Sequence, residues 1–521
     1  MIRVPAGLGN QLVASWDETK NGRGSVHIFR APEASAFKAA IGFLDSVAGV
    51  TRDCMAEFDP LTDRLMPFSP LSDLVRGALP KAPALEALLD ELRVYPRHRG
   101  LWASLLTGSP YRERESVIPE ELHQESLFLR RDLCRLIERI CIDSPRILVC
   151  HHAEYLPQEV FEILQDRASL ESQPLLILLC FCAEPSGSES AEAWETFYLN
   201  RLSDGQVLVL EGCEAGFDEK PQCPQVPELI APADFPFFLD FNQFGTVIRW
   251  ARRCWQTNNR FPGRIDHETE LIILESLARA YEGLDDFDSA LYFAQLLWSE
   301  LMNQYVSERK IRSQCLLARL FLGKNDHETA LRSAFSAWKL LTDESPLRER
   351  AETEFVLFLL NPHNGGYPDV FGQLEEVLLG HLGELGWDNH LAFILTQNFA
   401  VTDVYVTKGY PEALDRVRRG IALAAAVGNS RRLGTAYKIL GGIEQMRGNS
   451  ALAERAFLDS REHLLSIARD FEIARNENGL GYFYFTRGDY PHSFRCHAHA
   501  LELLYRSKKY EEDRKSTRLN S

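Results

Sequence analysis

From Glu121 to Ile140, apolar side chains return every three or four residues, placing Leu129, Leu133, Leu136, Ile137 and Ile140 on one face. That period predicts an amphipathic helix seated on an apolar surface. Around it lie short, almost wholly apolar runs that predict strands: Ser25–Arg30, Cys54 to Phe58, Arg146–Cys150 and Leu175–Cys182. Helical spacing predicts further helices over Ala36–Ala48 and Gln158–Asp166. Apolar strands alternating with helices specify a parallel sheet covered on both faces, an α/β fold. The longest apolar run, Pro174 to Ala183, fits a buried strand and falls short of the roughly 18 residues of a membrane span.

The pattern changes after Lys220–Pro236, where five prolines fall in seventeen residues. Proline removes backbone donors and fixes φ, so this stretch reads as a boundary; Glu184–Ala191 is a second, polar break. A connector helix is expected over Asn242–Thr257. Beyond it, helical segments alternate with turns, and small residues recur at Ala290, Ala330, Ala413, Ala453 and Ser493. The intervals are 40, 83, 40 and 40, and the long one leaves room for a divergent unit near Tyr367–Phe371. Turns carry Asn325-Asp326, Gly409-Tyr410, Gly448-Asn449 and Gly488-Asp489, residue types that end helices. Tyr281, Phe321, Tyr405 and Tyr484 precede the turns and are placed to fill the space between units. This resembles tetratricopeptide-type repeats of about 40 residues. The expected organisation is therefore α/β plus all-α, a P-loop-NTPase-like parallel-sheet domain over residues 1–190, a connector over 191–261 and a tetratricopeptide-like α-solenoid over 262–512.

Composition adds limits. The chain is 45% hydrophobic and 25% charged, as in ordinary globular proteins. A formal net charge of −17 without a basic patch argues against nucleic-acid binding. Eleven cysteines without a CxxC pair read as reduced thiols of a cytoplasmic protein. The start lacks the basic-then-apolar pattern of a signal peptide. The last nine residues, Asp513–Ser521 (DRKSTRLNS), resemble a translated sequencing adapter, so the native reading is expected to end near Glu512 with repeats still running.

Gly22-Arg-Gly24 leads into the first strand; Leu65-Met-Pro-Phe-Ser-Pro-Leu-Ser-Asp-Leu-Val75 follows; and Arg146-Ile-Leu-Val-Cys-His-His-Ala-Glu-Tyr-Leu-Pro157 ends a strand in a short aromatic turn. This order resembles the nucleotide-binding domain of STAND-type signal-transduction ATPases, including large LuxR-family regulators, over most of residues 10–183. The resemblance implies a phosphate loop of the form GxxxxGK[ST]. The best alignment, Pro32 to Ala39, keeps only Lys38: Pro32 and Phe37 replace the glycines, and Ala39 replaces the Mg²⁺-binding hydroxyl. Proline has no N–H to offer a phosphate, and phenylalanine adds bulk where the backbone must approach closely. His151 and His152 stand in place of the acidic pair, and neutral imidazole is a poor Mg²⁺ ligand. Two or three charge-assisted hydrogen bonds at roughly 1.5–3 kcal/mol each, with the metal bridge, amount to about 5 kcal/mol. That weakens micromolar binding to roughly 10 mM.

The nucleotide site is therefore expected to be dead, with Lys38 solvated and no cofactor; ATP and Mg²⁺ enter only under a different loop alignment. Cys150, His151 and His152 lie near Cys180 and Cys182, but without paired zinc spacing they read as buried thiols and partly exposed histidines, with no metal. Glu154 and Tyr155 fall in the turn after the strand and read as structural. The expected function is that of a non-catalytic regulatory scaffold binding a protein or peptide through its repeats. Asn389, Asn398, Tyr437 and Asn476 on first helices are the candidate contacts. The alternative is the N-terminal fragment of an ATP-responsive LuxR-family-like transcription regulator whose DNA-binding output domain lies further on. No membrane association is expected, and the sequence leaves the oligomeric state open.

Overall fold

The computed structural model describes residues 6–30, 43–44, 50, 52–60, 62–79, 84–108, 121–142, 144–165, 173–181, 207–209, 230–260, 265–302, 305, 307–361, 373–397, 409–467 and 470–506. The chain divides into two compact units, Met1–Leu340 and Leu341–Ser521.

In the first unit, β1 (Ser25–Arg30), β2 (Met55–Phe58), β3 (Arg146–Cys150), β4 (Leu175–Phe181) and β5 (Val207–Val209) form one sheet in the order β2-β3-β4-β1-β5. Every pairing is parallel, with Ala56 opposite Leu148, Leu148 opposite Ile177 and Ile28 opposite Leu179. The parallel sheet expected from the apolar runs is present. Alternation along each strand supplies two cores. Ile147, Val149, Leu176, Leu178 and Cys180 pack with Leu12 and Trp16 of α1 (Ala6–Lys20). Leu148, Cys150, Ile177 and Leu179 face the other way. There they meet α5 (Leu122–Ile142), whose buried Leu129, Leu133, Leu136, Ile137 and Ile140 form the face predicted from the sequence. Between β2 and α5 come α2 (Leu71–Ala78), α3 (Ala84–Glu91) and α4 (Arg99–Thr107). The expected helix Ala36–Ala48 and the polar break at Glu184–Ala191 lie almost wholly outside the described residues.

After β3, α6 (Gln158–Gln165) starts at the predicted position. The same core continues through α7 (Phe235–Asp240) and the connector α8 (Phe244–Arg260), which begins two residues later than the sequence suggests and ends three later. It extends into the first hairpin, α9 (His267–Gly283) and α10 (Phe287–Leu301), and reaches Leu320 of α11 (Glu308–Gly323), which pairs with α12 (His327–Leu340).

The second unit holds four more hairpins among the described residues. These are α13 (Leu347–Leu360) with α14 (Leu374–Leu385), α15 (Asp388–Gln397) with α16 (Tyr410–Ala426), α17 (Ser430–Met446) with α18 (Ser450–Leu465), and α19 (Asp470–Thr486) with α20 (Tyr490–Arg506). The divergent unit inside the 83-residue interval is α13–α14; Tyr367–Phe371 and Tyr405 themselves lie outside the described residues.

The turns repeat one device. A residue in the left-handed region ends one helix, and the next residue caps the following one. Asp285 (φ 59°) precedes Asp286, which accepts from the Ser289 N–H at 3.2 Å; Asn325 (φ 59°) precedes Asp326, which accepts from Thr329 N–H at 3.1 Å. Gly488 (φ 77°) likewise precedes Asp489, which accepts from His492 N–H at 3.3 Å. Ala290, Ala330, Ala413 and Ala453 are fully buried and Ser493 is 4% exposed, as the close helix crossing requires.

Candidate functional site

The first candidate region is the carboxyl end of the sheet. The connection from β1 runs toward β2, whereas that from β4 crosses to β5 on the far side of β1. Opposed connections from neighbouring strands leave a crevice at their carboxyl ends, the usual ligand position in open parallel sheets. Pro32, Phe37, Lys38 and Ala39 follow β1 and lie outside the described residues.

His151 and His152 are described, both half-buried at the end of β3. The His151 N–H donates to the Phe58 carbonyl at 2.8 Å, which extends the β2–β3 pairing by one residue. Its Nε2 lies 3.4 Å from Oε2 of Glu57. His152 takes a left-handed backbone (φ 47°), which turns the chain into the short helical turn Ala153–Tyr155, and its ring lies 6.4 Å from that of Tyr155. Cys150 beneath them is fully buried, and burial first, then the charge of Asp73, pushes its thiol pKa up. Among the described residues, no three His, Cys, Asp or Glu side chains gather as a metal-binding set.

Two acids reach this end that the sequence pattern does not nominate. Glu57 arrives on β2. Asp73 arrives on α2, where burial raises its pKa against the lowering effects of Ser69 and of Arg76, its ion-pair partner. Asp73 lies within the Leu65–Val75 segment but carries no assigned role there, and Glu57 belongs to no motif; strand pairing and the placement of α2 bring them there.

The second candidate region lies on the first helices of hairpins in the second unit. Arg431 and Lys438, seven residues apart, share a face of α17, and Glu472 and Arg475, three apart, share a face of α19. Arg431 Nε lies 3.3 Å from Glu472 Oε1, with both side chains about nine-tenths buried. Lys438 is half-buried. Its amine is pushed down to about 7, by burial first and then by Arg475, with Glu472 opposing and Arg431 adding to the shift. An amine so placed gains more from an arriving carboxylate than one in open water, because its charge is poorly solvated.

The nominated contacts fall around this cluster. Tyr437 stacks on His463 with ring centroids 5.6 Å apart and planes at 6°. Asn389 is buried, and its Oδ1 accepts from Asn429 Nδ2 at 2.7 Å, which joins α15 to the cap of α17. Asn476 is fully buried and donates to the Phe457 carbonyl at 3.1 Å. Those two amides tie neighbouring helices together. Asn398 lies outside the described residues. Helical spacing links Arg431 to Lys438 and Glu472 to Arg475, but which faces meet is a tertiary fact.

No family model and no curated protein matches this chain. Solved structures that the chain resembles include PH0952 from Pyrococcus horikoshii, a signal transduction ATPase with numerous domains (STAND) protein with a tetratricopeptide repeat sensor. It is 11% identical over 99% of this chain and 97% of that one, with a TM-score of 0.45. The apo form of RapI is 12% identical over 53% of this chain and 97% of that one, with a TM-score of 0.43. Aspartyl phosphate phosphatase F from Bacillus subtilis is 11% identical over 75% of this chain and 96% of that one, with a TM-score of 0.42. Likeness at this level does not extend to function.

Proposed function

We propose that this protein is a non-catalytic regulatory scaffold whose helical hairpins receive an acidic segment of a protein partner. The observation that carries the reading is the meeting of Arg431, Lys438 and Arg475 with the carboxylate Glu472 across α17 and α19. A peptide carboxylate entering there supplies the charge that half-buried Lys438 lacks, and stacked helices hold the receiving groups in place before binding. Because Lys438 titrates near 7 in the free chain, binding above that pH draws in a proton.

The α/β unit serves in this reading as a docking platform and not as a nucleotide hydrolase. Histidines where the resemblance to STAND-type ATPases requires acids support that view. The eight described cysteines are all unbridged, which fits a reducing compartment such as the cytoplasm.

Calorimetric titration with an end-capped Asp/Glu-rich peptide tests the proposal. The expected result is binding whose heat at about pH 8 depends on the ionisation enthalpy of the buffer, together with at least a tenfold weakening in a Lys438→Met, Arg475→Met double variant, about 1.4 kcal/mol. Equal binding by wild type and variant would overturn it. Titration with labelled ATP and Mg²⁺ tests the platform separately: a dissociation constant tighter than about 100 μM would restore the nucleotide site.

A further inference from the structure

Lys438 lies half-buried on α17, and the charged groups that act on it come from two helices. Arg431 precedes it by seven residues on its own helix, two turns or about 10.5 Å along the axis, within reach of two long side chains. Glu472 and Arg475 come from α19. The Arg475 guanidinium carbon lies over the Phe471 ring, 5.9 Å from its centroid. Glu472 Oε1 faces Arg431 Nε at 3.3 Å. Two guanidinium groups and one carboxylate leave a positive charge in excess before Lys438 is counted. Burial first, and that excess second, pushes the Lys438 amine down to about 7.

A lysine desolvated beside other cations is a nucleophile at neutral pH. At about pH 7.5 most of such an amine is unprotonated, against roughly one in a thousand for an ordinary exposed lysine. The electrophile that suits these surroundings is small and leaves an anion behind. Acyl donors are larger and leave a neutral amide, which does nothing for the unbalanced guanidinium charge. Carbon dioxide meets both requirements: it is small enough to reach a half-buried amine, and its product is negatively charged.

We propose that Lys438 is a carbamylation site, where dissolved CO2 adds reversibly to the amine and Arg431 and Arg475 stabilise the carbamate. The Nζ lone pair forms the N–C bond as one C=O π pair moves onto oxygen. Nζ then releases a proton to water, and nothing is oxidised or reduced. The carbamate oxygens accept from guanidinium N–H groups, which are charge-assisted contacts, and the local excess of positive charge is neutralised. The adduct turns the cluster's third cation into an anion and so closes it to an acidic segment. That consequence rests on the acidic-peptide reading, whereas the adduct itself does not.

Equilibrating the full chain with 13C-bicarbonate at about pH 7.5, trapping with triethyloxonium and digesting for mass spectrometry tests the proposal. The expected result is a labelled ethyl carbamate on Lys438, at least about tenfold more abundant than on the exposed Lys20 or Lys339. Degassing before trapping removes it, which separates the reversible adduct from permanent carbamoylation. Lys438→Met abolishes the signal, and Arg475→Met lowers it at least about tenfold, with the far-ultraviolet circular dichroism spectrum retained. A wild-type chain without label at Lys438 would overturn the proposal. So would a label no richer there than at Lys20 and Lys339, or an Arg475→Met variant labelled as fully as wild type. No peptide is present in this experiment, so its failure and that of the acidic-peptide reading are told apart.

Discussion

Glu159 caps the connector helix from the helix that follows β3. Its Oε2 accepts from the Thr246 hydroxyl at 2.6 Å and its Oε1 from the Thr246 backbone N–H at 3.3 Å. Thr246 is the third residue of α8, whose first turn has backbone N–H groups without helical partners. One buried side chain thus joins the sheet layer to the helix that leads into the first hairpin.

Burial raises the Glu159 pKa, and the hydrogen bonds from Thr246 only partly oppose it. A carboxyl raised on folding holds its proton more tightly in the native state. Its contribution to stability is therefore present below the ordinary value near 4.5 and is lost as pH climbs through the folded value. Glu159→Gln keeps an acceptor for Thr246 without the charge, so urea unfolding at pH 7 should find it at least as stable as wild type, with the advantage shrinking toward pH 4. Glu159→Ala loses both bonds and should cost about 1–3 kcal/mol.

Gly434 and Gly442 lie on one helix, α17, in opposite circumstances. A Cβ on Gly434 would sit 2.5 Å from Leu464 Cγ and 3.3 Å from the Ser460 carbonyl oxygen, whereas nothing lies within 4 Å of one on Gly442. Alanine improves a helix interior by about 1 kcal/mol over glycine, but overpacking a tight crossing costs about 1–3 kcal/mol. Gly442→Ala should therefore raise the melting temperature and Gly434→Ala lower it. Equal shifts in the two variants would show that helix propensity, not packing, governs both sites.

The legible parts of the fold are those fixed by neighbours in sequence. Arg146–Cys150 is readable at both ends because a bare apolar run stops at Pro145 and at paired histidines. The hairpin turns are readable because one residue supplies left-handed backbone and the next a cap. Helix α13 hides because Glu349, Glu352 and Glu354 are all buried, which breaks the apolar stripe a reader follows. Helix α1 hides for a similar reason: Ser15 and Thr19 share its inward side with Leu12 and Trp16, Ser15 Oγ lying 2.7 Å from His27 Nε2. The approach of Glu57 to His151, and of Lys438 to Arg475, depends on which strands and helices become neighbours. No local pattern carries that information.

His98 lies fully buried between two acids of α5. Its Nδ1 is 3.0 Å from Asp132 Oδ2 and its Nε2 is 2.6 Å from Glu125 Oε2. Asp132 also accepts from the Tyr95 N–H at 3.3 Å, and Arg97 lies 3.6 Å from Glu125. Replacing the ring by leucine leaves two buried carboxylates facing an apolar side chain. Breaking a buried charged set by removing one member costs about 3–5 kcal/mol. His98→Leu should lose that much in denaturant unfolding, and a loss below about 1 kcal/mol would place the network outside the folding core.

Lys438 gives the stability of the chain a pH dependence of its own. Its amine titrates near 7 when folded, against an ordinary value of 10.5, because burial and Arg475 both disfavour the cation. The native state thus binds this proton less tightly than the unfolded chain does. Its contribution to stability is complete above 10.5, declines as pH falls through the window and is gone below about 7. Methionine has similar length and no proton to exchange, so Lys438→Met should exceed wild type in stability at pH 7 and lose that advantage by about pH 10. Unfolding by urea at both pH values measures the difference between the two proteins directly. An advantage of the same size at both pH values would mean that packing, not the amine's charge, sets the behaviour of this site.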